Sequence, residues 1–372
     1  MSELDLNSLG LGPDERRLLG QHGFDAASFG MLQAELARGA FPVGHNVVKG
    51  TVAPPQPADL TPLPEPGTAP ARRLEALGQA ALDRGEVAAV VLNGGMATRF
   101  GGVVKGVVEV LPGLSFLALK LEDVARSHAR APVFLMNSFA TDADTRGHLE
   151  KHRYHGLAPE RVSCFTQHIG IRFTPTGEPF REQDGKVSLY APGHGDILDC
   201  LAACDGFRRF AAGGGKYVLV SNVDNVGASL SPRVIGAHIA GGREVTVEVA
   251  ARAAGDKGGA PARLEGRVEV LEGFRFPAGF DVESIPVFNT NTFVLSVAAV
   301  RADYNLTWFR ADKSVDGRPA VQFERLMGEV TAFRDSTYLV VPREGPEGRF
   351  LPVKTPDDLV QLRPMLARRT GH

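Results

Sequence analysis

The feature that most constrains this chain is a glycine-rich turn that directly follows a buried strand. Val87–Leu92 is an uninterrupted apolar run of strand length, as expected for a strand covered on both faces of a sheet. The run continues into Val90–Lys105, which reads V-V-L-N-G-G-M-A-T-R-F-G-G-V-V-K and contains four glycines. Glycine lets the backbone approach a ligand closely and turn successive N–H groups onto one anion, and Arg99 and Lys105 add positive charge. The segment therefore predicts a cradle for a phosphorylated ligand.

The turn matches neither of two common nucleotide-binding signatures. A Walker loop reads G-x-x-x-x-G-K-[ST], but Gly95 and Gly101 are six residues apart and Lys105 is followed by Gly106. The paired glycines also do not fit the G-x-G-x-x-G fingerprint of dinucleotide-binding domains. A tight turn in an unrelated α/β protein is the alternative that this segment, taken alone, leaves open.

Composition and charge exclude several classes of function. The 372 residues carry a formal net charge of −2, so no global field attracts nucleic acid or an anionic membrane. No segment has the length of a transmembrane span, and the N-terminus lacks a basic-then-apolar signal pattern. The three cysteines are too few for a disulfide framework, and Cys200 and Cys204 are interpreted as small apolar residues of one helix. A cytoplasmic protein without nucleic-acid or membrane partners is expected.

Residues 1–70 are expected to form a helical segment followed by a proline-rich arm. The pattern predicts helices at Pro13–Gln21 and Ala26–Arg38. Ala53–Pro70 contains seven prolines, which favour an extended arm over the surface rather than a regular ladder or helix. Helical spacing returns at Leu74–Arg84.

Residues 71–372 alternate between strand and helix patterns and are assigned to one domain. After the first strand, a helix capped by Ser115 is predicted. Further strands are predicted at Pro132–Asn137, Val162–Gln167 and Tyr217–Val220, and further helices at Asp142–His152 and Asp196–Ala211. Such alternation is typical of an α/β fold, here a mixed but mostly parallel sheet with helices on both faces. Residues 244–300 instead run strand after strand, which predicts an antiparallel region forming one wall of a substrate cleft.

Polar residues follow the strand Tyr217–Val220, at the edge where an open α/β sheet binds its ligands. Asp224 can hold a divalent cation there, since Mg²⁺ prefers hard oxygen ligands, and Asn222 can bond a ribose or sugar hydroxyl. An Asx turn that closes the strand is the structural alternative.

Two further segments offer polar groups at strand or helix ends. Gly193 and Gly195 flank His194 immediately before a predicted helix, where the helix N-terminus favours anions and the imidazole offers a donor. Gln167 ends a strand with an amide that can read a base edge. A structural histidine and a buried glutamine bonded to backbone are the respective alternatives.

The last candidates lie in the second half of the chain. Asn289 and Asn291 interrupt a strand pattern from which asparagine is normally depleted, which favours hydroxyl recognition over simple alternation. Lys257–Gly259, followed by Glu265, is consistent with a sugar-facing loop or with a plain hairpin. Lys354 precedes a proline-opened helix, and by itself it indicates little.

Taken in order, these motifs resemble the UTP–glucose-1-phosphate uridylyltransferase family of sugar nucleotidyltransferases. The matching stretches are Leu92–Val110, Met136–Thr145, Phe165–Gln167, Pro192–Asp196, Ser221–Ala228, Lys257–Gly259 with Glu265–Gly266, Phe288–Asn291 and Phe350–Leu359. Each stretch alone is a weak signal, whereas the full set in family order over roughly residues 88–362 is a strong one. The resemblance implies a Rossmann-like nucleotidyltransferase fold.

The resemblance also implies a role for each site residue. Nucleotide contacts are implied for Leu92, Asn93, Gly94, Gly95, Gln167, Gly193 and Asn222, and Mg²⁺ coordination for Asp224. Sugar-phosphate contacts are implied for His194, Lys257, Gly259, Glu265, Asn289 and Asn291. Catalytic contacts to the reacting phosphates are implied for Lys105, Lys354 and Arg99.

The reaction implied is attack by the phosphate of a sugar 1-phosphate on the α-phosphorus of UTP, with pyrophosphate leaving. Glucose 1-phosphate is the expected sugar substrate, and N-acetylglucosamine 1-phosphate or another sugar 1-phosphate is the alternative. A non-catalytic nucleotide-sugar binding protein is a further alternative, which the retention of Lys105, Lys354 and Asp224 argues against. The chain ends 18 residues after Lys354, where eukaryotic members continue into a C-terminal β-helix used for oligomerisation, so a monomer is expected.

Overall fold

A central, mostly parallel sheet organises the part of the chain that the structure describes. The computed structural model describes residues 6, 9–42, 44–97, 100–127, 130–256 and 258–370. The helices among them are α1 (Pro13–Gln21), α2 (Ala26–Ala37), α3 (Ala69–Asp83), α4 (Phe116–Ser127), α5 (Asp142–Lys151), α6 (Ile197–Ala203), α7 (Asp205–Ala212), α8 (Pro232–Gly241), α9 (Val330–Phe333) and α10 (Pro356–Thr370). The strands are β1 (Val52–Ala53), β2 (Leu60–Pro62), β3 (Val87–Leu92), β4 (Met96–Ala97), β5 (Val103–Val104), β6 (Glu109–Leu111), β7 (Leu114–Ser115), β8 (Val133–Asn137), β9 (Val162–Thr166), β10 (Gly170–Ile171), β11 (Leu189–Tyr190), β12 (Tyr217–Asn222), β13 (Val245–Ala251), β14 (Ala260–Leu264), β15 (Arg267–Leu271), β16 (Val287–Ser296), β17 (Phe309–Val315), β18 (Arg318–Glu324) and β19 (Ser336–Val340).

The strand order of the central sheet is β2-β19-β13-β16-β12-β3-β8-β9. Neighbouring strands are parallel except around β16, which runs antiparallel to both β12 and β13. Parallel strands are joined by helical crossovers, as the alternating pattern predicts. The predicted α/β class with a mostly parallel sheet is therefore confirmed.

Both faces of the sheet are buried, which explains the uninterrupted apolar run of β3. Alternate residues of that strand enter different cores: Val87, Ala89 and Val91 pack with α3, α4 and α8 on one face. Ala88, Val90 and Leu92 pack with α6, α7 and the β14–β15 hairpin on the other. Helix α4 begins after Ser115, whose hydroxyl accepts the N–H of Ala118 at 3.0 Å, so the predicted cap is confirmed.

Helices α3 and α8 touch backbone to backbone through two glycines. A Cβ built on Gly78 would lie 1.8 Å from the carbonyl oxygen of Pro232, and one on Gly236 would lie 1.9 Å from that of Leu74. Neither oxygen belongs to a flexible side chain, so a methyl group could fit only if the helices moved apart and opened the core between them.

We expect Gly78→Ala to lower the free energy of unfolding by about 3 kcal/mol, the upper range for overpacking a tight interior. Urea unfolding followed by circular dichroism measures it. The matched control is Gly147→Ala within α5, where a Cβ would meet no atom within 4 Å. There the better helix propensity of alanine is expected to raise stability by about 0.5–1 kcal/mol. Equal effects at both sites would contradict the packing account.

The proline-rich segment is more than an arm over the surface, and that part of the sequence prediction is wrong. It contributes β1, which pairs with β14, and β2, which pairs in parallel with β19 at one edge of the central sheet. Proline is tolerated at such an edge because the missing N–H would face outwards. Helices α1 and α2 pack in a separate apolar cluster against β10, β11 and β18.

One further sequence prediction is confirmed by the structure, and another is corrected. Residues 244–300 pair antiparallel as predicted, β13 with β16 inside the central sheet and β14 with β15 in a small sheet that also contains β1. The single helix predicted for Asp196–Ala211 is two helices, because Cys204 adopts an extended conformation (φ −71°, ψ 123°) between α6 and α7. No helix among the described residues combines the length and apolar character needed to cross a membrane.

Candidate functional site

The carboxyl ends of β3, β8 and β12 open into a crevice of about 350 Å³. Leu92 stands opposite both Asn222 and Met136 in the sheet register, so the segments after these three strands emerge side by side. The crevice is lined by Leu92, Gly94, Gly95, Lys105, Met136, Gln167, Ala191, Gly193, His194, Asn222, Val223 and Asp224. All of them except Met136, Ala191 and Val223 are residues that the sequence analysis proposed for the site.

A lysine and an aspartate meet inside this crevice. The Lys105 ammonium donates to Oδ2 of Asp224 at 2.6 Å, and the two side chains are 25% and 10% exposed. Lys105 follows the short strand β5 of the glycine-rich turn, whereas Asp224 follows β12, so the pair joins two segments that are distant in sequence. The crevice therefore combines a cation suited to phosphate oxygens with a carboxylate suited to a hard metal ion.

At Gly94, the glycine-rich turn passes close to the side-chain amide of Gln167. A Cβ on Gly94 would lie 2.7 Å from Nε2 of Gln167, so only glycine leaves space for that side chain. The backbone N–H of Gln167 is bonded to the Asn137 carbonyl at 2.9 Å. Gln167 thereby presents a planar donor and acceptor at the crevice, as reading a base edge requires.

Asn93, predicted to contact the nucleotide, has its side chain in the protein interior instead. It is fully buried, and its Nδ2 donates to Oδ1 of Asn137 and to Oγ1 of Thr145, each at 2.9 Å. These bonds tie the turn to β8 and α5. The side chain thus holds the turn in place rather than lining the crevice.

A buried ion pair connects the two segments that carry Gln167 and Gly193. Asp196 is fully buried and paired with Arg325 at 2.5 Å. The other carboxylate oxygen of Asp196 accepts the backbone N–H of His168 at 3.1 Å, directly beside Gln167. One carboxylate therefore fixes the end of β9 and the guanidinium together.

The backbone of Arg325 fixes the second segment. Its N–H donates to the Pro192 carbonyl at 2.7 Å, and its carbonyl accepts the N–H of Gly195 at 2.9 Å. Gly193 has φ 102°, and a Cβ there would lie 2.6 Å from the Arg325 carbonyl oxygen, so glycine is required. Arg325 was not among the predicted site residues, because its only signal in the sequence is its position immediately after a strand pattern.

His194 lies at the crevice as a neutral imidazole. Burial lowers its pKa to about 4. Its Nδ1 accepts the backbone N–H of Met327 at 3.1 Å, so the remaining proton sits on Nε2. The side chain can therefore donate one hydrogen bond at neutral pH without adding charge.

A bulge in β16 brings its asparagines towards the crevice. Thr290 and Asn291 are extra residues in the pairing with β13, and Asn291 adopts the left-handed region at φ 57°. Its Nδ2 donates to Oδ1 of Asn222 at 3.0 Å, while its N–H is bonded to Oδ1 of Asn289 at 2.9 Å. Asn291 thus supports a crevice residue, and Asn289 supports Asn291.

The other predicted contacts do not line the crevice. Gly259 is buried, with its carbonyl bonded to the N–H of Asn289 at 2.7 Å. Glu265 is exposed at the β14–β15 turn, where its carboxylate accepts the N–H of Thr51, two residues before the arm. Lys354 is exposed, but the preceding residue, Val353, donates its N–H to the Asp224 carbonyl at 3.3 Å. Arg99 and Lys257 lie outside the described residues.

A second set of buried charges lies near Asp224, and sequence reasoning did not find it. Arg349 and Glu248 form a two-pronged ion pair at 2.6 and 2.7 Å, with side chains 4% and 0% exposed. Lys120 is also buried and donates to Oγ of Ser221 and to the Ala228 carbonyl. Burial lowers the pKa of Lys120 to about 7. These groups brace the loop between β12 and α8 that carries Asp224.

Asp224 fits a metal ion only as one ligand of several. No group of three or more His, Cys, Asp and Glu side chains able to hold a metal occurs in the part of the chain that the structure describes. Mg²⁺ is commonly bound through one or two carboxylates together with substrate phosphates and water. A carboxylate that lines the crevice beside a phosphate cradle matches that mode of binding.

Three histidines, of which His238 is buried and His148 and His194 are partly buried, make stability sensitive to acid. Burial lowers the pKa of His148, His194 and His238 from 6.5 to about 4. The unfolded chain therefore binds these protons at a higher pH than the folded chain does. The contribution of the neutral imidazoles is complete above pH 6.5 and is lost as pH falls towards 4.

We expect the melting temperature to drop by about 5–10 °C between pH 7 and pH 4.5. His238→Gln should reduce this dependence, because it removes one of the three groups. His45→Gln, at an exposed histidine, is the control and should leave the dependence unchanged. Scanning calorimetry at several pH values checks the result, and identical pH profiles for all three proteins would contradict it.

Comparison with known sequences gives a consistent set of relatives. The family described as UTP–glucose-1-phosphate uridylyltransferase matches residues 54–370. The protein of that name from Solanum tuberosum is 31% identical over 287 residues, covering 72% of this chain and 59% of the relative. Its counterpart from Saccharomyces cerevisiae is 30% identical over 312 residues, covering 76% and 60%. The chain thus spans about three fifths of the length of these curated relatives.

Solved structures give the same fold. UDP-glucose phosphorylase from Trypanosoma brucei aligns with a TM-score of 0.74 at 25% identity, covering 94% of this chain and 77% of its own. The uridine diphosphate N-acetylglucosamine pyrophosphorylase of the same organism, in complex with an inhibitor, aligns with a TM-score of 0.77 at 21% identity, covering 96% and 81%. At 21% identity, the similarity to the N-acetylglucosamine pyrophosphorylase supports the fold alone.

Proposed function

The chain belongs to the UTP–glucose-1-phosphate uridylyltransferase family, and from this premise we propose that it transfers a uridylyl group from UTP to glucose 1-phosphate. The products are a UDP-sugar and pyrophosphate. The observation that carries the proposal is the meeting of Lys105 and Asp224 in a crevice that Gln167 and Gly193 also line. A base-reading edge, a phosphate-binding cation and a metal-binding carboxylate are what this transfer needs in one place.

The phosphate of the sugar substrate is already an anion, so no general base is required. The obstacle is that two phosphate esters, which repel each other, must approach in line. Lys105 and the backbone N–H groups of the glycine-rich turn would offset that repulsion and stabilise the charge on the transferred group. His194 would add an uncharged donor. A bound Mg²⁺, held by Asp224 and the nucleotide phosphates, would supply further charge neutralisation.

We assign Gln167 and Gly193 to the uracil, and Asn222 to the nucleotide. The Asp196–Arg325 pair would then act as a positioning element, since it joins both uracil-reading segments without reaching the substrate. Asn289 and Asn291 are proposed for the sugar. Lys354, one residue beyond the bond between Val353 and the Asp224 carbonyl, is the second cation proposed for the phosphates. Arg99 and Lys257 are kept as proposals on the family resemblance alone.

The test is an assay of pyrophosphate release with purified protein. UTP and dTTP are each combined with glucose 1-phosphate, N-acetylglucosamine 1-phosphate and galactose 1-phosphate, with Mg²⁺ or with a chelator. We expect the highest rate with UTP, glucose 1-phosphate and Mg²⁺. If only another sugar 1-phosphate is turned over, that sugar is the substrate instead of glucose 1-phosphate. If the protein binds UDP-glucose but releases no pyrophosphate with any substrate, it is a nucleotide-sugar binding protein and not an enzyme.

A further inference from the structure

A second cavity, of about 300 Å³, lies at the opposite end of the sheet from the crevice. It opens where β13 and β19 begin, whereas the crevice opens where β3, β8 and β12 end. Its walls come from three parts of the chain: the proline-rich arm at Asp59 and Thr61, the β14–β15 turn, and the residues that lead into β13 and β19. The docking of the arm on the sheet therefore creates this cavity.

Four arginines line the cavity. Arg243 and Arg334 precede β13 and β19, and Arg263 and Arg267 flank the β14–β15 turn. The lining also contains the carboxylates of Asp59 and Asp335, so the cavity carries a net charge of +2, the difference between four guanidiniums and two carboxylates. The whole chain, by contrast, has a formal net charge of −2. Positive charge is thus concentrated at this place.

Two of the guanidiniums are already neutralised. The Arg263 guanidinium donates to both carboxylate oxygens of Asp59, at 2.6 and 2.8 Å. Nε of Arg334 lies 3.4 Å from Oε2 of Glu244, a residue that does not line the cavity. The forked pair fastens the arm to the hairpin. These contacts hold the wall of the cavity together. Of the four arginines, Arg243 and Arg267 are therefore the two that remain to bind a ligand.

Arg243 and Arg267 make no ion pair with any carboxylate that the structure describes. Both are exposed, and Arg267 makes one long bond, at 3.4 Å, to the Thr331 carbonyl. Guanidiniums held in one cavity repel each other, and an anion between them removes that repulsion. Their planar donors match the oxygens of a phosphate group. With the carboxylate of Asp335 on the same lining, the two guanidiniums leave a net charge of about +1, two positive minus one negative, for an anion to balance. The hydroxyl of Thr337 lies on the same wall as a further donor.

We propose that this cavity binds the phosphate group of a small phosphorylated molecule, or inorganic phosphate, through Arg243 and Arg267. The site is separate from the crevice and does not depend on the uridylyltransferase activity proposed above. Its volume accepts a phosphate with a small organic substituent, which is the lower range for ligand cavities of about 300–1,000 Å³.

The experiment measures binding of inorganic phosphate and of glycerol 3-phosphate by calorimetry at low ionic strength. Four proteins are compared: the wild type, Arg243→Gln/Arg267→Gln, Lys105→Gln in the crevice, and Arg208→Gln/Arg209→Gln on α7. The last pair is the matched control, because it removes the same charge from two exposed arginines that line neither cavity.

We expect the Arg243→Gln/Arg267→Gln protein to lose at least tenfold in affinity for both probes while keeping the melting temperature of the wild type. The Lys105→Gln and Arg208→Gln/Arg209→Gln proteins should retain binding in the second cavity. Tighter binding of glycerol 3-phosphate than of phosphate would identify the ligand as an ester, and equal affinity would identify inorganic phosphate. Unchanged affinity in Arg243→Gln/Arg267→Gln, or an equal loss in the α7 control, would overturn the proposal.

Discussion

Replacing Lys105 with alanine is expected to lower kcat by a factor of about 10²–10³, the usual effect of removing one group that stabilises transition-state charge. The Lys105 ammonium is in the crevice, 2.6 Å from the carboxylate of Asp224, and no other residue described as lining the crevice carries a full positive charge. Its loss should therefore remove one of the charges that offset the repulsion between the two phosphate esters, while the turn N–H groups and the metal remain. Initial rates of pyrophosphate release at saturating substrates measure the effect.

The control for this substitution is Lys313→Ala. Lys313 is an exposed lysine on β17, paired with Glu324 at 3.1 Å, and it does not line the crevice. The control should keep full activity, and the melting temperature of Lys105→Ala should stay within about 3 °C of the wild type, because its side chain is partly solvated. A Lys105→Ala protein with wild-type turnover would remove the proposed role of the glycine-rich turn.

Glu248→Gln is expected to lower the free energy of unfolding by about 3–5 kcal/mol, the range for breaking a buried ion pair from one side. The substitution keeps the size of the side chain but leaves the Arg349 guanidinium buried without a counter-charge. The loss of this carboxylate also removes a negative charge that favours protonation of Lys120, which is buried nearby. Chemical denaturation with two optical probes gives the change.

The double variant Glu248→Leu/Arg349→Met separates charge from packing. Replacing both partners with apolar residues of similar size is expected to cost less than about 2 kcal/mol, since no charge is left unpaired. A loss of stability as large as that of Glu248→Gln would show that shape at this position matters more than charge. A loss below 1 kcal/mol in Glu248→Gln itself would contradict the prediction.

Most of the crevice could be anticipated from sequence because one topological rule locates it. In a parallel sheet, polar residues that follow successive apolar runs must meet at the same edge, and Gln167, Asn222 and Asp224 do so. The helix and strand bounds near them follow from local patterns; α1 and β3, for example, coincide with their predicted ranges.

The parts that sequence could not supply depend on partners that are distant along the chain. Asp196 and Arg325 are 129 residues apart, and Glu248 and Arg349 are 101 apart, so no local spacing marks them as pairs. In the sequence, Asn93 cannot be told apart from an asparagine that binds a ligand, because it follows a strand and precedes two glycines. Only the burial of its side chain shows that it braces the turn instead. The break at Cys204 was likewise missed, because cysteine is not a helix-breaking residue type and its extended conformation has no local signal in the sequence.

The three-residue strand β2 has a consequence for the behaviour of the protein at high concentration. An open sheet ends in a row of unsatisfied backbone groups that can recruit a strand from another molecule. β2 covers that row on β19, and the N–H of Leu63 extends the cover by bonding to the Val340 carbonyl at 2.9 Å. Pro62 then offers no N–H of its own to a newcomer. The proline-rich segment thus acts as a terminator of the sheet, which guards against self-aggregation.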